Sequence, residues 1–262
     1  RDRDVTGVQT CALPIFAAHF GVALRGPRVD SVKSGPSRAV PVTISAGDRC
    51  GMFSVSVISG VTVGPSPHWV VSRLQHLGMR SISNVVDASN LVMLECNQPN
   101  HAYDHSVVSS FDIRLAHEGE SHRTLDGVDR LLHVDDLLIC NGASGEAVGL
   151  AGIMGGLESE VTTSTTELSL EVAWFEPDPI RFSVNRHNLR SEASVRFERG
   201  VDPYGIDASV SRFAELLLET CPGLVIHAAA GDARTACLPR PDRSVRVDRK
   251  STRLNSSHIT IS

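Results

Sequence analysis

One carboxylate in this chain stands where a carboxylate is costly. Glu171 sits inside LSLEVAWF, where Leu168, Leu170 and Val172 alternate with Ser169, Glu171 and Ala173. In a strand, that alternation puts Glu171 on the face of Ser169 and Ala173, opposite the three aliphatic residues. A buried carboxylate needs a donor. The plain expectation is a nearby arginine; the alternative is a ligand that brings its own hydrogen. His101 is a second candidate, in a turn over Gln98–His101, where a lone histidine ordinarily serves the surface or a local hydrogen bond. Asn90 shares a helical stripe with Val86, Met93 and Leu94, which asks for a specific buried partner. In GLAGIMGG, residues Gly149, Gly152, Gly155 and Gly156 allow either tight turns and close packing or backbone N–H groups approaching a ligand. Arg80, Arg181, Arg186, Arg190, Arg196 and Arg199 crowd the same elements, and helix salt bridges account for such a set at little cost.

Other chemistries lack their residues. The sequence holds no GxxxxGK[ST], no HExxH, no GxSxG and no cysteine–histidine cluster at ligand spacing. The cysteines (Cys11, Cys50, Cys96, Cys140, Cys221, Cys237) form no CxxC pair, which fits a reducing cytoplasm better than a disulfide scaffold. A net charge of −5 and a pI near 6.1 argue against a dedicated nucleic-acid binder and against DNA as a partner. No apolar run reaches the length of a membrane span, and no signal peptide is visible. Hydrolysis by such a chain would rest on positioning and on the substrate's own groups.

The elements that must hold these residues are readable in outline. A strand is predicted over Phe53–Val63, interrupted at Gly60. A helix follows with Ser66 as cap, Pro67 in the first turn, an apolar face of Trp69, Val70, Leu74 and Leu77, and Gly78 as stop. A second helix spans Asn84–Cys96. Phe111–Leu115 is a short strand, and Asp126-Gly127 turns a hairpin between Arg123–Leu125 and Val128–Leu132. Leu137–Cys140 and Ala147–Leu150 pair across Asn141–Glu146. After the Glu171 strand, Pro177 and Pro179 open a helix that Asn188 stops, and Ser191 caps the next, which Gly200 breaks. Tyr204–Thr220 is a long amphipathic helix closed by Pro222-Gly223, and Leu224–His227 a last strand. The class is α+β, with layered β-sheets flanked by helices.

Four runs of this sequence resemble the β subunit of bacterial phenylalanyl-tRNA synthetases. They are RSISNVVDASNLVMLECNQPNHAYD (Arg80–Asp104), TLDGVDRLLHVDDLLI (Thr124–Ile139), GLAGIMGGLESEV (Gly149–Val161) and RSEASVRFERGVDP (Arg190–Pro203). The resemblance covers about Cys50 to Arg240 and implies the third and fourth modules of that subunit, where tyrosine mischarged on phenylalanine tRNA is hydrolysed. It implies that His101, Glu171, Ser191 and Ala193 do the catalytic work, with Ser89, Asn90 and Gly152 binding substrate. Glu171 would face the tyrosine hydroxyl and His101 the aminoacyl ester. Ser89 and Ser191 are serines where the family more often has threonine. The family works as an α2β2 assembly with its α subunit and tRNA, in the cytoplasm. ATP and Mg2+ serve the synthetic site of the whole enzyme and no cofactor serves this fragment. Some of the arginines would touch the tRNA acceptor end. A non-catalytic RNA-binding scaffold and a free-standing trans-editing domain are the alternative readings.

The resemblance also divides the chain. Residues 1–16 and 250–262 read as translated sequencing-adapter sequence rather than native protein. Residues 17–49 are expected to end a preceding module, 50–238 to form the editing and tRNA-facing domain, and 239–249 to start the next. The first residue is Arg1, not Met, and the expectation is a fragment of a longer subunit.

Overall fold

The computed structural model describes residues 19–23 and 32–234. The segments expected to be non-native, and the expected start of a next module, lie outside the described residues. The fold is α+β, as its sequence predicts.

Three sheets carry it. The first runs in the order β1 (Lys33–Gly35), β12 (Val225–Arg234), β3 (Cys50–Ser59), β11 (Glu167–Phe175), β4 (Asn100–Asp104). The second runs β10 (Met154–Gly155), β9 (Ala147–Leu150), β8 (Leu137–Asn141), β5 (Phe111–Leu115), β2 (Val42–Ile44). A hairpin of β6 (Ser121–Arg123) and β7 (Asp129–Leu131) stands apart, its turn at Gly127 in the left-handed region at φ 77°. The two large sheets pack face to face, with the Phe53 and Tyr103 rings of the first 5.5 and 5.4 Å from Phe111 of the second. Residues 17–49 supply β1 and β2, which pair in parallel with β12 and β5 and so complete both sheets.

Helices α1 (His68–His76), α2 (Asn84–Cys96) and α5 (Ile206–Leu218) lie to one side; α2 and α5 pack on each other and on β4 and β11. Helices α3 (Pro177–His187) and α4 (Glu192–Phe197) follow β11 directly. This layering explains why the alternation of β11 becomes complete burial from Leu168 to Phe175. Tyr103 pairs with Ser169 and its ring meets the second sheet. Ser169, Glu171 and Ala173 therefore face that sheet, and Leu168, Leu170 and Val172 face the helices.

Several local expectations give way to tertiary contacts. Ser66 caps no helix; its hydroxyl donates to buried Asp87 at 2.5 Å, and Pro67 takes the cap position without a side-chain bond. In α1 only Val70 and Leu74 are buried, while Trp69 and Leu77 are exposed. Trp69 instead donates its indole N–H to Glu219 at 2.8 Å. The strand expected over Phe53–Val63 runs Cys50–Ser59, ending before Gly60 at φ 76°, where a Cβ would lie 2.5 Å from the Gly223 carbonyl. The last helix is shorter than Tyr204–Thr220, and the last strand longer than Leu224–His227. The turn expected at Gln98–His101 is two residues long at most: Asn97, at φ 55°, reverses the chain, and β4 begins at Asn100. His101 is a strand residue, not a loop residue.

Candidate functional site

A cavity of about 330 Å³ opens where four pieces meet. They are the β4–β11 edge of the first sheet, one face of α2, the glycine segment around β10, and the start of α4. Its wall includes Ser89, Asn90, His101, Gly152, Glu171, Ser191 and Ala193, so the residues singled out from the sequence are brought together. Met93, Ile153, Met154 and Phe197 make much of the remaining lining apolar.

Glu171 stands in register with His101 across the β11–β4 pair. Cross-strand partners point the same way, so both side chains enter the cavity wall together. Glu171 is 6% exposed, and the partner it finds is not an arginine. The Tyr103 hydroxyl donates to its Oε2 at 2.9 Å. Burial pushes the Glu171 carboxyl up to about 7, and the Tyr103 bond only partly opposes that. Tyr103 is the site residue that sequence reasoning missed. HAYD places His101 and Tyr103 two apart, the strand period, and reading that stretch as a turn hid the shared face.

His101 is half-buried, and its Nε2 is buried without a hydrogen-bond partner. Burial lowers its imidazole to about 4, so it is neutral at physiological pH. Its ring meets Tyr103 edge-on at 4.5 Å. Gly155 makes room for it: a Cβ there would lie 2.9 Å from His101 Cε1 and 3.1 Å from Nε2. Close packing therefore explains this glycine. Gly152, by contrast, needs its φ of 68°, and a Cβ there would press within 3.2 Å of Ile180, Phe175 and Phe197.

Serines hold the walls in place. The Ser89 hydroxyl donates to the Asn100 carbonyl at 2.9 Å, and Asn100 Nδ2 returns a bond to the Ser89 carbonyl at 3.2 Å, fastening α2 to β4. Ser191 caps α4 in a reciprocal box with Ser194 and donates to the Ile153 carbonyl at 2.6 Å. That bond ties the glycine segment to the helix that carries Ala193. Asn90 departs from expectation. The core face of α2 is Val85, Ala88, Leu91 and Val92, while Asn90 is half-buried in the cavity wall and its side chain makes no hydrogen bond to a described residue.

The arginines are mostly engaged within the chain. Arg181 pairs with Asp178, Arg186 with Asp136, Arg190 with Glu198 and Arg196 with Glu192. Among the described residues no group of three or more His, Cys, Asp or Glu side chains could hold a metal ion. None of their helices is long and apolar enough to cross a membrane.

Comparison with known proteins identifies the family. The B3/4 domain family model matches residues 49–222, and the chain belongs to that family. It is 44% identical over 237 residues to the phenylalanine–tRNA ligase β subunit of Anaeromyxobacter dehalogenans, across 89% of this chain and 29% of that protein. The β subunit of Cutibacterium acnes is 47% identical over 182 residues, 68% of this chain and 22% of that protein. The chain thus spans less than a third of the length of these relatives. A solved N-terminal fragment of the Pyrococcus horikoshii phenylalanyl-tRNA synthetase β subunit aligns with a TM-score of 0.43 at 12% identity, over 82% of this chain and 58% of that one.

Proposed function

We propose, with membership of the B3/4 domain family as the premise, that this chain is the proofreading region of a phenylalanine–tRNA ligase β subunit. It hydrolyses the ester of tyrosine mischarged on phenylalanine tRNA. The observation that carries the reading is Glu171: a carboxylate buried in the wall of a largely apolar cavity, bonded through one oxygen only. A phenylalanine-specific synthetic site rejects an added hydroxyl weakly, by roughly 10²-fold, so a second site that reads the hydroxyl adds the missing discrimination.

In the proposed reaction the tyrosine side chain fills the cavity and its phenol donates to Glu171. Water attacks the ester carbonyl, the bond to the terminal ribose oxygen breaks, and that oxygen takes the proton. His101, neutral and below the range of an effective base near pH 7, orients the ester or the water rather than removing the proton. Asn90 and Ser89 shape the wall beside it, and Ser191 with Ala193 holds the opposite side against the glycine segment. ATP and Mg2+ belong to the synthetic site of the complete α2β2 enzyme, which works in the cytoplasm with its α subunit and tRNA. The fragment itself needs no cofactor, so chelators leave its hydrolysis unchanged apart from Mg2+ effects on tRNA folding.

Incubating the purified chain with tyrosyl-tRNA carrying the phenylalanine anticodon tests this. Release of tyrosine above the spontaneous rate, with no aminoacylation, is expected. A folded sample that binds the tRNA and releases nothing overturns the reading in favour of a scaffold.

A further inference from the structure

Tyr103 is 1% exposed and lines the same cavity as Glu171. We propose that Tyr103 is a specificity-determining positioning residue: its phenol occupies Oε2 of Glu171 permanently, leaving the other carboxyl oxygen alone to read a ligand hydroxyl. The inference rests on the proofreading reading above and names the residue that makes Glu171 selective.

The geometry leaves Tyr103 little freedom. Its ring is held between His101, 4.5 Å away and edge-on, and Phe111 at 5.4 Å. A phenol has a single proton to donate, and this one goes to Glu171 at 2.9 Å. A ligand hydroxyl that displaced it would strand a buried phenol without a partner, which costs more than the exchange returns. The ligand therefore adds to the pair, and the carboxylate accepts from two phenols at once.

That arrangement also bears on the protonation state that matters. Only an ionised carboxyl is acceptor-only, and a protonated one offers a donor that blurs the distinction. Burial favours the protonated form of Glu171 and the Tyr103 bond favours the ionised one. The groups facing the pair are few. His101 on β4 is neutral, the Cys50 thiol on β3 is pushed well above its ordinary range by burial, and the Cys140 thiol on β8 is pushed up to about 12. Glu160 and Glu192 line only the exposed rim. Among the described residues, the Tyr103 phenol is thus the donor that opposes burial at this carboxyl.

The test compares kcat/KM for tyrosyl- and phenylalanyl-tRNA across neutral pH, using the full chain, Tyr103→Phe and Glu171→Ala. Tyr103→Phe should lower the tyrosine preference roughly tenfold and move the midpoint of its pH dependence upward. Unchanged or increased preference overturns the inference, because it means the ligand displaces Tyr103. Glu171→Ala separates the two ideas. If it keeps the preference, the proofreading reading of the site falls. If it erases the preference while Tyr103→Phe does not lower it, only the role of Tyr103 falls. Should Tyr103→Phe fold poorly, 3-fluorotyrosine at position 103 keeps the ring and strengthens the donor. The midpoint should then move downward, and a fixed midpoint overturns the inference equally.

Discussion

Glu171 and Asp136 are both withdrawn from water, and the protein treats them in opposite ways. Asp136, fully buried just before β8, accepts from the Ser183 hydroxyl at 2.6 Å, His187 Nε2 at 2.6 Å and the His133 backbone N–H at 2.8 Å, and it is paired with Arg186. Burial works against its charge, but the hydrogen bonds from Ser183, His133 and His187 outweigh burial and hold the carboxyl below its ordinary range. Glu171 has one donor and is pushed up to about 7. A carboxylate whose needs are met inside the fold is a fastening, here of α3 to the second sheet. One left short of donors beside a cavity is free to answer a ligand.

The largest expected effect falls on the unsatisfied member. Glu171→Ala should erase most of the preference for tyrosyl- over phenylalanyl-tRNA, because a site built to bond a hydroxyl rejects its absence by roughly 10⁴-fold. The melting temperature should move little. Removing Glu171 strands the Tyr103 hydroxyl but also relieves a desolvated carboxyl, and the two changes oppose each other. Deacylation kinetics on both esters, with melting curves alongside, check this. Preference surviving in a stable variant would make Glu171 a second fastening and dissolve the contrast.

The satisfied member should show the reverse pattern. Asp136→Asn leaves Arg186 without its counter-charge and should cost about 3 kcal/mol of stability, read from denaturant midpoints, while the folded fraction keeps its tyrosine preference. The two carboxyls also predict opposite pH slopes. Asp136 has a depressed folded pKa, so its contribution is present above its unfolded value and is lost as pH falls through the folded one. Glu171 rises from 4.5 to about 7, so its contribution is fullest below the unfolded value and is lost as pH rises through the folded one. That loss amounts to about 3 kcal/mol. Glu171→Gln should therefore stabilise the protein at about pH 8 and not at about pH 5, whereas Asp136→Asn should cost the same at both and less only as pH falls below the ordinary carboxylate range.

How much of this was legible in the sequence follows from how local each signal is. The cost of Glu171 was visible from alternation alone, and so were Asn188 and Ser191 as helix boundaries, because their side chains act within one turn. Ser66 misled because its hydroxyl is claimed by Asp87, twenty-one positions on. Tyr103 was missed for a similar reason. Its meaning lies in β11, sixty-eight positions away, and only the β4–β11 register brings the two together. Asn90 was expected to find a specific buried partner because the stripe it shares is apolar, yet its side chain lines the cavity wall. Periodicity gives the face of a helix but not what lies opposite it.

The smallest effect concerns His101, and its size decides the kind of help His101 gives. The imidazole lies beside Glu171 in register and is lowered to about 4 by burial alone. A general base typically contributes 10²- to 10⁴-fold, but one so weak near pH 7 gains little from proton transfer. His101→Ala should therefore slow tyrosyl-tRNA hydrolysis by only about tenfold, with the tyrosine preference kept because Glu171 still reads the hydroxyl. Gly155→Ala offers an independent check, since its methyl would meet the ring at 2.9 Å and displace the imidazole without removing it. If position is what His101 supplies, the two variants should lose similar rate and show the same pH profile as the parent chain. If His101→Ala instead abolishes hydrolysis with tRNA binding unchanged, and the parent rate falls away below a pH near the imidazole's own midpoint, then His101 takes the proton. The site would then divide its labour between a base at position 101 and a reader at position 171.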